Sequence, residues 1–271
     1  MILKPRLFRK PNLSNPISKG LVGLWLMNEG SGNTVQDLSG NGNHATFHAN
    51  GPDWAAGQYG RALKFNGSDD NILLPATLLG AQNVTGMTFY AIVTPSAVAL
   101  SAGIIGGASN EGYGYYESGG IWVNSGTIPR MTTYHATTGY KDASSSITLV
   151  ANTTYHICGV HDPANGTNYI YVNGVLGGSV AGVTNTGTSF AAAFIGRNVK
   201  STAQYWFPGS IEYCAIYSRP LLASEIQQLY REPFCMFDRD PIELWTGAMG
   251  GGVPPVGNAG IMTCNAGYWG A

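Results

Sequence analysis

The residues with most chemical promise in this chain are aromatic. Tyr113, Tyr115, Tyr116, Trp122, Tyr134 and Tyr140 crowd one Gly-rich stretch, and Tyr205 and Trp206 follow further on. Pyranose faces stack on such rings, whose apolar body and polar tip suit a half-wet surface. The crowded six, with Trp206, are therefore the candidate carbohydrate contacts, although core or inter-subunit packing would use the same residue types. Reactive constellations are harder to assemble. His44, His48, His135, His156 and His161 show no Ser/His/Asp or Cys/His arrangement. No Gly-rich stretch runs on into Lys-Ser or Lys-Thr, so no phosphate loop is indicated. Cys158, Cys214, Cys235 and Cys264 lack CxxC spacing and a matching His cluster, which argues against zinc. Cys158 and Cys214 sit in apolar strand patterns and read as buried free thiols, and nothing in the spacing supports a Cys235–Cys264 pair. The acid-dense piece from Asp238 to Glu243 contains Pro241, which excludes it from a central strand.

The elements that would position these residues are strands. Among 271 residues there are 38 Gly and 15 Tyr, and only 11% are charged, which suits strands joined by turns. Alternation predicts strands over 21–27, 87–94, 121–123, 130–134, 154–161, 168–174 and 194–197. A strand pair is predicted over 62–67 and 71–74, joined through Gly67–Asp70. The residues Asp162–Gly166 are those of a hairpin loop between two of the later strands. After a closing strand over 210–217 comes a Pro220 turn and one short helix with the stripe Leu221, Ile226, Leu229 and Tyr230. Residues 1–19 carry Lys4, Arg6, Arg9, Lys10 and Lys19 before the first acid, Glu29, and are punctuated by Pro5, Pro11 and Pro16. They read as an extended basic arm, either solvated or touching an acidic partner or nucleic acid. Residues 232–271 have the Gly/Pro composition of an extended tail. Phe234, Met236, Phe237, Leu244, Trp245, Tyr268 and Trp269 are too apolar for free solvation, so the tail is expected to dock on a neighbour or to fold back.

A net charge of −1 gives no general field for nucleic acid or anionic membranes. No stretch approaches the ~20 apolar residues of a membrane span, and no apolar run follows the first basic residues as a secretory signal would require.

Several pieces, in order, resemble the laminin-G-like jelly roll of the concanavalin-A-like lectin/glucanase superfamily. They are Gly23-Leu24-Trp25, Asn28–Gly32, Asp37–Asn43, Gly60–Gly67, Tyr169–Gly174, Ile195-Gly196 and the strand–helix unit Gly209–Tyr230. The resemblance covers about residues 20–231. It implies an all-β fold of two antiparallel curved sheets packed face to face, with first and last strands adjacent and one short C-terminal helix. Trp25, Phe65, Phe89, Ile170, Val172, Ile211 and Ile216 would face inward. Asp37 is expected to accept bonds from N–H groups near Ser39 and Gly40. The resemblance departs at the helix cap, where Leu222 stands in place of Ser or Thr. A missing cap costs on the order of 1 kcal/mol, unless Ser224 or the preceding turn compensates. Superfamily members hold Ca²⁺ with hard oxygen ligands, which makes Asp37, Asn43 and Glu212 the candidate metal ligands here. The hydrolytic branch carries two Glu flanking an Asp on one strand face, a pattern this sequence lacks, so no enzymatic activity is expected.

The resulting expectation is a non-enzymatic structural or adhesive surface protein. It would be a phage virion component (capsid decoration, fibre or spike) or otherwise extracellular, joined through its arms to itself or to other virion or surface proteins. Cell-surface glycans are candidate ligands, with no specific nucleic acid and no membrane insertion. The alternative is a calcium-assisted carbohydrate-binding module of a bacterial surface or secreted protein.

Overall fold

Alternating apolar residues broken by Gly, Asn and Asp build strand after strand along this chain. The computed structural model describes residues 4–238 apart from 8, 49–50, 76–77, 79–85, 98–100, 111–114, 136–138, 185–191 and 201–202. The first strands are β1 (Leu21–Trp25), β2 (Thr34–Val35), β3 (Ala45–Phe47), β4 (Asp53–Ala56), β5 (Arg61–Asn66) and β6 (Ile72–Leu74). The middle of the chain forms β7 (Met87–Pro95), β8 (Ala102–Asn110), β9 (Tyr115–Val123), β10 (Pro129–His135), β11 (Gly139–Ser144) and β12 (Tyr155–Asp162). Then come β13 (Thr167–Val172), β14 (Val175–Ala181), β15 (Ala192–Ile195), β16 (Arg197–Lys200), β17 (Ala203–Trp206), β18 (Pro208–Tyr217) and the helix α1 (Ala223–Arg231).

Two eight-stranded antiparallel sheets result. The first runs β14-β13-β12-β7-β18-β5-β4, and the second β11-β10-β9-β8-β15-β6-β3-β2. Strand β18 organises the first sheet. Along one edge it pairs with β7, while its other edge takes β5 at the start and β1 at the end, so first and last strands are adjacent. The seven residues expected to face inward all lie in the core between the sheets, where each fully buried apolar side chain contributes about 1.5–3 kcal/mol. The predicted hairpin across Asp162–Gly166 forms as β12–β13. The predicted pairing of 62–67 with 71–74 does not. Strand β5 joins the first sheet and β6 the second, so the turn between them carries the chain from one layer to the other. Cys158 and Cys214 are buried free thiols, as their surroundings implied.

A second core covers the outward face of the first sheet. Tyr90, Ile92, Tyr213, Ala215 and Tyr217 pack there beneath Ile17, Leu221, Ile226, Leu229, Met236 and Phe237. Both ends of the described chain therefore lie against the sandwich. The Asn12 N–H donates to Met236 O at 2.7 Å, and Asn15 Nδ2 to Cys235 O at 2.9 Å. Met236 and Phe237 thus fold back onto their own sheet, while Leu244, Trp245, Tyr268 and Trp269 lie outside the described residues. Lys4, read as part of a basic arm, is buried. Its Nζ donates to Leu26 O at 2.6 Å and to Arg61 O, and lies 3.9 Å from Glu212 Oε2. Burial pulls the ammonium down to about 8 against the attraction of Glu212.

Helix α1 is preceded by Leu222 at the cap position with no side-chain cap bond, and the compensation comes not from Ser224 but from Glu225 together with Arg219 of the preceding turn. Glu225 Oε2 accepts the Leu222 N–H at 2.8 Å, and Arg219 grips both Glu225 oxygens at 2.7 and 2.6 Å. Burial pushes Glu225 up, but these bonds outweigh it and hold the carboxyl below its ordinary range. Leu221, Ile226 and Leu229 are buried as the stripe predicted, whereas Tyr230 is half exposed.

Polar groups inside the fold are matched to neutral histidines. Tyr90 Oη donates to Leu229 O at 3.1 Å, so it accepts from His156 Nδ1 at 2.5 Å, and His156 Nε2 accepts from Tyr59 Oη at 3.0 Å. Between the sheets, His161 Nδ1 donates to Asn168 Oδ1 at 2.8 Å, Asn168 Nδ2 donates to Thr133 Oγ1 at 2.8 Å, and Thr133 Oγ1 bonds His135 Nε2 at 2.8 Å. Burial holds His135 and His156 at about 4, with His161 and Lys141 adding to the effect at His135. Burial also lowers His161, against its bond to Asn168 and the nearby Asp162.

Unfolded histidines take up protons near pH ~6.5. The folded ones resist down to about 4, so the unfolded state binds more protons between these limits. Stability is expected to be flat above pH ~7 and to fall below ~6.5, by up to about 1.4 kcal/mol per pH unit for each such histidine. Urea midpoints measured across this range test it, and a midpoint independent of pH would contradict it. A second expectation concerns Asp37, which accepts from Leu24 N–H (2.9 Å), Ser39 N–H and Oγ (both 2.8 Å) and Asn43 N–H (2.9 Å). Asp37→Ala strands these buried donors and is expected to cost about 3 kcal/mol in thermal denaturation.

Candidate functional site

Helix α1 and the segments around Ile17 and Met236 cover the centre of the first sheet's outward face, whereas the outward face of the second sheet carries a cleft. Its residues follow from the two-residue period of strands. Ile105, Ile121, Met131, Ala143 and Ile195 point into the core, so Gly106, Gly120, Trp122, Arg130, Thr132, Tyr134, Tyr140, Asp142 and Phe194 point out. Register places Asp142, Thr132, Gly120, Gly106 and Phe194 in one row across five strands. At the usual strand spacing of ~4.8 Å, that row crosses about 19 Å of sheet.

One half of the row is a closed ring of contacts. Trp122 Nε1 donates to Thr132 Oγ1, which donates to Asp142 Oδ1 at 2.6 Å. Asp142 Oδ2 accepts from Arg130 Nη1 at 3.2 Å, and the Arg130 guanidinium returns over the Trp122 ring at 5.3 Å from its centroid. Each member fixes the next, so the indole is oriented before any ligand arrives. Beside this pair, Tyr134 and Tyr140 meet edge to face with centroids 5.1 Å apart.

The other half is made by the hairpin β16–β17. Gly196, at φ +81°, turns the chain out of β15 where a Cβ would strike the Phe65 ring at 2.3 Å. The hairpin then crosses the outward face at Gly103, the register partner of Trp122. A Cβ on Gly103 would sit 2.2 Å from the backbone of Arg197 and Asn198. The Arg197 guanidinium lies over two rings, 4.7 Å from the Phe194 centroid and 4.9 Å from that of Trp206. Between the two halves the floor is bare backbone. Gly106 and Gly120 face each other, and a Cβ on Gly120 would lie 2.6 Å from Gly106 Cα. The result is a shallow, solvent-open cleft with Trp122 and Thr132 on one wall and Phe194, Arg197 and Asn198 on the other.

Of the aromatic residues singled out from sequence, Trp122, Tyr134, Tyr140 and Trp206 are brought to this face. Tyr115 and Tyr116 lie on β9 opposite Asn110 and Ser109, their side chains outside the described residues, as is Tyr113 altogether. Sequence reasoning missed Arg130, Thr132, Asp142, Phe194 and Arg197. A signal existed for two of them, because Arg130, Thr132 and Tyr134 alternate with Met131 and Thr133.

The proposed calcium ligands do not converge. Both oxygens of Asp37 are taken by the N–H and hydroxyl donors of its own loop and β1. Asn43 donates through Nδ2 to Val22 O at 2.9 Å and through its N–H to Asp37. Glu212 accepts from Gln58 N–H at 3.1 Å and Tyr59 N–H at 3.0 Å, with Lys4 beside it. Asp37 binds Leu24, the partner of Ala215, and Glu212 lies three residues further along β18, about 10 Å away by strand rise. Asp37 and Asn43 thus share one loop, joined by the Asn43 N–H bond to Asp37, while Glu212 stands apart; among the described residues there is no group of three or more His, Cys, Asp or Glu placed to hold a metal ion. Among the same residues, no helix is long and apolar enough to cross a membrane.

Comparison with known proteins agrees with this architecture. The binding domain of Paraclostridial Mosquitocidal Protein 1 is similar with a TM-score of 0.60 and 14% identity, over 79% of this chain and 52% of that one. Trypanosoma rangeli sialidase in complex with sialic acid is similar with a TM-score of 0.59 and 20% identity, over 81% of this chain and 34% of the sialidase. Domain 4 of AbnA, a GH43 extracellular arabinanase from Geobacillus stearothermophilus, in complex with arabinotriose, gives a TM-score of 0.58 and 19% identity. That match covers 78% of this chain and 98% of the domain. The chain thus spans about half of the first structure and a third of the sialidase, and identities this low speak for a shared fold alone. No curated protein sequence matches the chain. The Laminin_G_3 family model matches residues 66–227. That stretch is more than half of the 271 residues, and with the two-sheet fold it places the chain in the concanavalin A-like lectin/glucanases superfamily.

Proposed function

We propose that this domain binds carbohydrate in the cleft on its second sheet and does not cleave it. The carrying observation is the pre-set Trp122 ring facing a glycine floor, since a flat apolar surface rimmed by polar donors is what a pyranose face requires. Trp122 supplies the stacking surface, Thr132 and Asp142 hold it in place, and Phe194, Arg197 and Asn198 form the opposite wall. The length of the row suits an oligosaccharide lying across the strands. The structure of the similar arabinanase domain was determined in complex with arabinotriose, which supports the reading.

In its fuller form, the reading is an adhesive surface protein, such as a capsid decoration, fibre or spike of a phage virion, that presents this cleft to cell-surface glycans. The charged fraction of 11% and the aromatic Trp245, Tyr268 and Trp269 beyond the packed domain support an assembly contact there. A carbohydrate-binding module of a bacterial surface or secreted protein would use the same cleft without that assembly.

Trp122→Ala is expected to weaken oligosaccharide binding by about tenfold or more, as loss of a central aromatic anchor does. Glycan-array screening followed by calorimetry reads this, with thermal denaturation showing that the variant stays folded. Unchanged affinity would remove the cleft from the mechanism, and sugar released from a polysaccharide panel would overturn the non-catalytic reading. Truncation after Asp238 keeps Met236 and Phe237 in the second core and is expected to leave a folded domain that no longer enters particles. Normal incorporation of the truncated chain would defeat the virion role.

A further inference from the structure

The polar groups beside the cleft floor are already bonded within the protein, and that narrows the ligand. Thr132 is buried, and its hydroxyl accepts from Trp122 Nε1 and donates to Asp142 Oδ1. Arg130 bonds the other Asp142 oxygen at 3.2 Å, so the two charges at that corner offset each other. On the far wall Arg197 lies over the Phe194 and Trp206 rings, and both it and Asn198 are engaged within the chain. The floor itself is spoken for by the sheet. Gly106 has Gly120 on one side and Phe194 on the other, and Gly120 has Thr132 beyond it, so their peptide groups point sideways into the ladders. What Gly106, half-buried at the centre of this floor, turns outward is its Cα–H.

From Phe194 to Thr132 the row covers three strand spacings, ~14 Å, and both residues between them are glycines. Phe194 is buried yet belongs to neither core. Its ring and the Trp122 ring are the apolar parts of the two walls. A ligand group resting on the floor therefore meets C–H and ring carbon. A hydroxyl placed there gives up water for no bond in return, whereas a methyl group gains by leaving water.

Resting on the carbohydrate reading above, we propose that the cleft selects neutral sugars that carry a methyl group, the sugar ring stacking on Trp122 and the methyl lying on the Gly106 floor against Phe194. A 6-deoxyhexose and an N-acetylated sugar both supply that group.

Titration and saturation-transfer NMR on the full chain compare sugars that differ at this group. One arm sets L-fucose and L-rhamnose against L-galactose and L-mannose, which carry a hydroxyl on C6 instead. The other sets β-1,4-linked N-acetylglucosamine oligomers against glucose oligomers of the same linkage and length. At least one methyl-bearing sugar is expected to bind about fourfold more tightly than its partner, as burial of a single methyl group gives, with its methyl protons receiving the strongest saturation. The arm in which this happens identifies the source of the methyl. Phe194→Ala is expected to abolish the difference. The wild-type comparison needs no variant, so a misfolded substitution does not blunt the test. Equal binding within every pair, tighter binding of the hydroxylated partners, or saturation centred on other protons overturns the methyl preference and leaves the carbohydrate reading standing. A difference that survives in folded Phe194→Ala overturns it as well. If neither arm binds while other oligosaccharides do, the preference also falls. If no oligosaccharide binds at all, both proposals fall.

Discussion

The cleft depends on how closely backbone approaches backbone at Gly103. Where an ordinary residue would place its Cβ, this chain places the Arg197–Asn198 peptide, 2.2 Å from that position. No side chain fits there, so the hairpin β16–β17 lies directly on the sheet. Its position fixes where Arg197 and Trp206 stand. Gly106 and Gly120 extend the same constraint along the floor, since a Cβ on either meets the neighbouring strand's backbone at 2.6–2.8 Å. Glycine normally weakens a strand by leaving nothing to pack. Here the missing side chains are the condition for a groove on a surface that alternation would otherwise fill with bulky residues.

Such a groove must be supported from beneath. The inward side of the same strands carries Ile105, Ile121, Met131 and Ile195, packed against Phe89, Ile157 and Ile170 of the first sheet. The first sheet in turn is buried on both faces, because α1, residues 12–19 and residues 234–237 cover its outer side. Strand β7 shows this in sequence as a nearly unbroken apolar run, Met87 to Val93, where a half-exposed strand would alternate. The central strands of the first sheet are thus covered on both faces, while the middle strands of the second carry the cleft on their outward face.

Much of this was legible in the sequence, and what was not has a common cause. Strands, the β12–β13 hairpin, the inward residues and the lone helix are properties of local periodicity and turn chemistry, which a sequence displays directly. Pairing across layers is not. Asn66–Asp70 reads as a turn and is one, with Asn66 Oδ1 accepting the Ser68 N–H at 2.8 Å and Asp70 Oδ2 accepting the Asn66 N–H at 2.7 Å. Nothing in those residues says that the chain emerges in the other sheet. The same limit hid Asp142 and Arg197, which lie 20 and 75 positions beyond Trp122 and reach it only through the register of strands far apart in the chain. Lys4, which reads in sequence as part of a basic arm, instead lies with its ammonium buried beside Glu212, a pairing across 208 positions that neither residue announces locally.

The buried polar groups follow one rule, and the rule bears on the site. Asp37 is surrounded by donors that β1 and its own loop cannot otherwise satisfy. Glu212 does the same for Gln58 and Tyr59, and Glu225 for Leu222. In each case a carboxylate stabilises backbone and is thereby withdrawn from chemistry. Asp142 repeats the pattern on the ligand face, its two oxygens spent on Thr132 and Arg130. An acid so engaged is a support for its neighbours. Its hydrogen bonds keep Thr132 beneath the indole, and Thr132 keeps Trp122 from swinging into the glycine floor. The carboxylate at the cleft thus acts through Trp122, whose ring it holds in one orientation.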